Sequence, residues 1–349
     1  FDGTGCLKGL GRVAVTTVAP QPGRCELPVD RFWDLLRRAL AEALLQAEAE
    51  ARQIVGVAYS SQASTFVLLD LDDRPLTPLV LWTDTRAAAL PEQWRQFTLT
   101  EEFGRTTGFN GSSSNAAVAK WLWFQEHEPK LWRQTRAIMT IADYFTFALT
   151  GERVGDAGTA AFLGLYDLGG QGWWPKARSN FGVADKQLSQ PLRPGSPHGQ
   201  TSAAAEVLLG LPRNIPFAVG GLDHHVAALG SGLGNVADAS ISTGTVLAAV
   251  ALSERVVPQA RCYHGPHFYG TGCYRLAFDP LGAGQLEDYR RTFAPDCSIE
   301  QLIAQAEKVP ACRPHRVASG SDRAFAVRYL LEKISNAHRC LLGHLQGKE

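Results

Sequence analysis

Two short turns of one kind, Gly3-Thr4 and Gly244-Thr245, each stand near the start of an α/β run. This long-period echo constrains the fold more than any other feature. It predicts two similar lobes, each offering a Gly-Thr hairpin to a shared cleft. Backbone N–H groups in such turns can cradle phosphates, because glycine allows close approach and the exposed groups form a nest. A third match, Gly270-Thr271-Gly272, reads as a plain hairpin connection.

The runs between these turns alternate strand and helix. After Gly3-Thr4-Gly5, the residues Val13, Val15 and Val18 read as a β-hairpin. Val29 to Ala49 places Phe32, Leu36, Leu40, Ala43, Leu44 and Ala47 at helical spacing behind Pro28. Ile54 to Ala58, Thr65 to Asp70 and Leu79 to Trp82 read as strands. Residues 91–150 read mostly as helix, with a strand over Ala137 to Ile141 and a helix end at Gly151. A second α/β pattern begins near Pro216. It has strands over Phe217 to Val219, Ala239 to Ser242 and Val246 to Leu252, a helix starting at Asp223, and a last amphipathic helix over Phe325 to Leu345.

Composition excludes several classes. Of 349 residues, 45% are hydrophobic and 19% charged, which supports a buried core rather than a disordered chain. Lysine plus arginine number 34 and aspartate plus glutamate number 34, so no net field draws nucleic acid or an anionic membrane. No apolar run reaches transmembrane length. Cys6, Cys25, Cys262, Cys273, Cys297, Cys312 and Cys340 are odd in number, irregularly spaced and without Cys-x-x-Cys. That argues against a disulfide framework and a zinc site, and predicts a reducing cytoplasm.

Several polar features follow in order. Asp2-Gly3-Thr4 and Lys8 open the chain, and Ser61-Gln62 follows a buried strand. Trp82, Asp84 and Arg86 form W-x-D-x-R. Asp143-Tyr144 precedes a helix ending in Leu149-Thr150-Gly151-Glu152. Asp156, Thr159 and Ala160 come next, then Leu165-Tyr166-Asp167. Gly220-Gly221-Leu222-Asp223 and Ser242-Thr243-Gly244-Thr245 complete the set.

In order and spacing this set resembles the FGGY carbohydrate kinase family, whose members include xylulokinases and glycerol kinases. The resemblance covers roughly Asp2 to Leu345. It implies an α/β fold of two actin-like, ribonuclease H-like lobes with a cleft between them, the second lobe incomplete. Residues 1–219 form the N-terminal, sugar-binding lobe and 220–349 the C-terminal, nucleotide-binding lobe. The implied activity is phosphorylation of a small sugar or polyol hydroxyl by ATP with Mg²⁺, without nucleic-acid or membrane partners, and with a homodimer as the expected assembly. By resemblance Asp223 is the catalytic base. Gln62, Trp82, Asp84, Arg86 and His224 lie on the sugar side. Thr4, Gly5, Lys8, Thr243, Gly244 and Thr245 lie on the nucleotide side, and Asp2 holds the metal directly or through water. These residue types suit the chemistry on their own terms. Phosphoryl transfer needs an in-line hydroxyl, charge neutralisation and exclusion of water, and one positioned carboxylate serves as base.

The chain departs from the family in three places. Asp2 touches Gly3 directly, where the family has one residue between, and the first hairpin is short after Lys8. The family's C-terminal Gly-Gly-rich turn is missing. After Gln62 stand Ala63-Ser64-Thr65, matching neither the Met-His-Gly of xylulokinases nor the Arg-Glu-Thr of glycerol kinases. Xylulose and glycerol are therefore not the default substrates. Phe1-Asp2 at one end and a helical pattern at the other predict further residues beyond both.

Plainer readings compete at each position. Asp223 alone reads as a helix N-cap. Asp84 and Arg86 read as a surface ion pair, Gln62 as a strand cap, and Lys8 as a surface lysine. Asp156 reads as a loop aspartate satisfying backbone amides. Adjacent helical residues diverge, so His224 reads as cleft-lining and His225 as structural. A sugar-binding relative without phosphoryl transfer, acting as a sensor, is the competing function.

Overall fold

Phe66–Leu69 is excluded from solvent at all four positions, because its strand is covered on both faces. Val67 and Leu69 join a core with Phe32, Trp33, Tyr144 and Leu149, while Phe66 meets Trp121 and Phe124 on the opposite face. Alternating side chains of one strand thus fill two layers, and an unbroken apolar run follows.

The computed structural model describes residues 1–109, 113–244, 246–258, 262–310 and 323–346. In chain order it begins with β1 (Glu26–Leu27), α1 (Val29–Gln46), β2 (Ser60–Ser61), β3 (Phe66–Leu69), β4 (Leu79–Val80), α2 (Glu92–Thr98), α3 (Glu101–Thr107), α4 (Ala117–His127), α5 (Pro129–Gln134), β5 (Ala137–Thr140) and α6 (Ile141–Thr150). It continues through β6 (Val154–Asp156), α7 (Ala157–Ala161), β7 (Tyr166–Asp167), β8 (Gly172–Trp173), α8 (Pro175–Asn180), β9 (Gln190–Leu192), β10 (Pro197–Gln200), α9 (Ala203–Leu209), β11 (Pro216–Ala218) and β12 (Gly221–Leu222). The remainder is α10 (Asp223–Gly230), β13 (Ala239–Thr243), β14 (Leu247–Ser253), β15 (Tyr263–Pro266), β16 (Cys273–Asp279), α11 (Gly284–Phe293), α12 (Ile299–Ala306) and α13 (Arg323–Gln346).

Two compact units result: Phe1–Val226 with Gly265–Gly270, and Ala227–His264 with Thr271–Glu349. The first compact unit thus runs through Val226, past the lobe boundary expected at 219/220. The reason is local. Gly221 and Leu222 pair in parallel with Ser60 and Ser61, which ties them to the first unit. The first unit holds an antiparallel sheet in the order β1-β4-β3-β5. The second holds the antiparallel strands β13, β14 and β16, in that order. There Leu247, Ala249, Ala251 and Ala277 pack against Ile334, Leu341 and Leu345 of α13.

Two expected elements do not form as read. The opening residues make a turn but no hairpin strand, and Val18 forms only a single bridge, to Glu26. The N–H groups of Leu10 and Arg12 instead donate to Gln46 Oε1 and Glu42 Oε2 on α1. The chain can lie this close because Gly9 and Gly11 carry no Cβ; one there would stand 1.9 and 1.8 Å from the carbonyl oxygens of Ala43 and Ala39. Ile54 to Ala58 likewise contributes only a parallel bridge from Val57 to Phe217.

Candidate active site

The first unit brings two parallel segments to a common end. Val57 bridges Phe217, Ser60 stands opposite Gly221, and Ser61 opposite Leu222. The next residue on one side is Gln62 and on the other Asp223. In α/β folds ligands gather at the carboxyl ends of parallel strands. Both glycines of Gly220-Gly221 are dictated by this packing. A Cβ on Gly220 would lie 1.8 Å from the Tyr59 carbonyl oxygen, and one on Gly221 would lie 2.8 Å from Phe268 Cζ. Ser64 takes a left-handed φ of 57°, turning the chain sharply after Gln62.

Asp223 is the first residue of α10 and is half-buried. One oxygen accepts the N–H of His224 at 2.8 Å. The other makes no hydrogen bond among the described residues. His224 is half-buried. His225 is fully buried, its ring beside Phe162 and Phe268, and burial with His224 alongside pushes its imidazole down to about 3. His225 is therefore neutral and structural. The segment Gly265–Gly270, distant in sequence, carries Phe268 to the Gly221 edge. Sequence reasoning missed it because its signal is long-range packing, not a motif.

Trp82, Asp84 and Arg86 come together, but not as a sugar-facing set. Asp84 is fully buried. Its Oδ2 accepts the Cys25 N–H at 2.7 Å, and Arg86 donates to both its oxygens at 2.8 Å. Arg86 also donates to Glu26 at 2.5 Å and lies over the rings of Trp123 and Phe124. Burial alone would raise the Asp84 carboxyl, but the bonds from Arg86 and Cys25 outweigh it and hold it below its ordinary value. Both Asp84 oxygens and the Nε and Nη2 of Arg86 are engaged within the protein, so the pair braces the loop where a sugar-side placement was expected. Trp82 remains half-buried, its N–H bonded to Thr65 Oγ1 at 3.0 Å.

Asp2, Thr4, Gly5 and Lys8 also cluster. Asp2 Oδ1 accepts the Thr4 N–H and hydroxyl and the Cys6 N–H, and Oδ2 lies 3.1 Å from Lys8 Nζ. Gly5, at a φ of 82°, closes the turn by donating to the Asp2 carbonyl. The Thr4 hydroxyl, then Lys8 and the two backbone N–H groups, hold the Asp2 carboxyl down at about 2. Mg²⁺ favours carboxylate oxygens that are open to it. Lys8 shares the remaining oxygen through a solvent-exposed ion pair, which a cation held there directly or through water would have to displace. No group of three metal-ligating residues occurs among the described residues.

In the second unit, Thr243 pairs with Leu247 across the expected turn. Gly244 donates to the Val246 carbonyl at 3.2 Å and accepts from Ala283 N at 2.9 Å. Its N–H is thus turned into the hairpin rather than outward. Thr243 is exposed, and His338 of α13 stands 3.3 Å from the Ser242 carbonyl and 3.5 Å from the Thr243 hydroxyl. Thr245 lies outside the described residues.

A model of the FGGY family of carbohydrate kinases, N-terminal domain, matches residues 1–230. The chain belongs to the FGGY family of carbohydrate kinases. Among curated FGGY relatives it is similar to a xylulose kinase of Lactococcus lactis, 24% identical over 94% of this chain and 66% of that protein. A Bacillus subtilis xylulose kinase is 27% identical over 89% of this chain and 61% of that protein. The chain thus spans about two thirds or less of the length of these relatives. Among solved FGGY structures, a xylulose kinase from Rhodospirillum rubrum superposes with a TM-score of 0.82 at 25% identity, covering 95% of this chain and 72% of that one. A Plasmodium falciparum glycerol kinase with ADP shares the fold at a TM-score of 0.77 and 18% identity. The fold is the actin-like α/β fold of these kinases.

Proposed function

We propose that this protein transfers the terminal phosphoryl group of ATP to a hydroxyl of a small sugar or polyol in the cytoplasm, with Asp223 as general base. The observation that carries this reading is the Asp223 carboxylate at the end of β12, one oxygen held by the His224 N–H and the other without a hydrogen bond among the described residues. A sugar hydroxyl donates to that free oxygen. As the hydroxyl oxygen bonds to the terminal phosphorus, its proton passes to Asp223 and ADP leaves. Gln62, beside Asp223, offers an amide donor and acceptor to neighbouring hydroxyls, and His224 a ring nitrogen. Trp82 supplies an apolar ring face. The nucleotide-side candidates are Thr4 and Gly5 in the first unit and the exposed Thr243 in the second, and the co-substrate of this reading is ATP as its Mg²⁺ complex.

One observation favours the sensor reading: Asp2 is spent on Lys8 and the Gly244 N–H on Val246, leaving the phosphate side less prepared. ADP release by the full-length protein over a panel of ketoses and polyols separates the two. The kinase reading predicts release that saturates with one sugar class. Sugar binding without any sugar-stimulated ADP release would replace it with the sensor.

A further inference from the structure

Lys120 interrupts an otherwise apolar stretch of α4, and residues 117–122 are all buried. The Lys120 side chain itself is 0% exposed. Its Nζ donates to the carbonyl of Leu81 at 2.7 Å and to that of Trp82 at 3.1 Å. Burial pushes the ammonium down to about 7, against a partly offsetting pull from Asp84. A buried charge is a poor source of stability, since an apolar side chain of like volume usually packs there as well or better. What Lys120 contacts therefore matters more than what it contributes to packing. It reaches the point where the chain leaves β4 and enters the loop of Trp82, Asp84 and Arg86.

That loop is fixed from three directions. Thr65 Oγ1 takes the Trp82 N–H, Lys120 takes the Trp82 carbonyl, and Asp84 ties the next turn to Cys25. The backbone on both sides of Trp82 is thereby fixed, and its half-buried indole is the part that remains to meet a ligand. Both Asp84 oxygens and the Nε and Nη2 of Arg86 are already engaged within the protein. We propose that Lys120 is a positioning residue for the sugar subsite, setting the placement of Trp82 by holding the carbonyls at the end of β4. The proposal rests on the kinase reading and on Trp82 facing sugar.

The test uses full-length Lys120→Met and Lys120→Gln, with two readouts. One is KM for sugar and for ATP; the other is amide hydrogen exchange over Trp82–Arg86. In Lys120→Met we expect an unfolding midpoint at or above wild type. Sugar KM should rise about tenfold, the size of losing one hydrogen bond to a charged group. ATP KM should stay unchanged, and exchange in the loop should quicken. Lys120→Gln keeps N–H donors and should recover part of both losses. Wild-type exchange and wild-type sugar KM in folded Lys120→Met overturn the proposal, as does an equal rise in both KM values. Should Lys120→Met not fold, the same readings on Lys120→Gln decide, with wild-type values in both again overturning it. Absence of sugar-dependent turnover in the wild type defeats the kinase reading instead, and loop exchange alone then judges whether Lys120 holds the loop.

Discussion

At the scale of single residues, the W-x-D-x-R loop shows how side chains of the same type serve different ends. Asp84 is fully enclosed, and removing it leaves the buried Arg86 guanidinium with Glu26 as its one carboxylate partner among the described residues. Breaking a buried pair from one side costs about 3–5 kcal/mol, most of it the uncompensated charge. Asp84→Ala should lose stability of about that size in urea denaturation. Unchanged stability with a selectively raised sugar KM would return Asp84 to the sugar side. The motif itself was legible in the sequence; the duty of its carboxylate was not. The partners that decide it, Cys25 N and Glu26, lie some sixty residues upstream, and nothing in local spacing announces them. Asp223 was more legible, because Gly-Gly before an aspartate that opens a helix is a local pattern with a local cause.

At the scale of elements, α6 and β6 share a buried acid. Asp143 closes a capping box with Thr140, accepting the Thr140 N–H at 3.0 Å, and a Cβ on Gly155 would stand 1.6 Å from its Oδ1. Burial, with the charge of Asp156 adding to it, pushes Asp143 up to about 7 from 3.8. The folded chain thus keeps a proton that the unfolded chain gives up. The Asp143 contribution therefore falls as pH climbs from about 4 to about 7 and levels off above, a few kcal/mol in all. Asp143→Asn keeps the acceptor for Thr140 and removes the titration. Its stability relative to wild type should grow with pH across that window when denaturation midpoints are compared. A difference that stays constant from pH 4 to 7 would place the Asp143 pKa near its ordinary value. Elements like α6, with its apolar run, its cap and Gly151 at a φ of 81°, were readable because their causes are local. The expected opening hairpin does not form for the opposite reason: N–H groups of Leu10 and Arg12 find side chains of α1 rather than a neighbouring strand.

At the scale of the whole molecule, family membership and the placement of the unit boundary come from different sources. The α/β alternation and the two Gly-Thr turns were visible in the chain. The inclusion of Gly265–Gly270 in the first unit was not, since it depends on Phe268 packing against Gly221. The kinase reading rests on an Asp223 carboxylate oxygen with no hydrogen bond among the described residues, directly after the strand residues that pair with the segment leading to Gln62. The turnover number of Asp223→Asn tests this most directly, because asparagine keeps the shape and the acceptor for His224 N–H but takes no proton. The account predicts a fall of about 10²–10⁴-fold with the unfolding midpoint unchanged. Turnover within about twofold of wild type in a folded variant would contradict it.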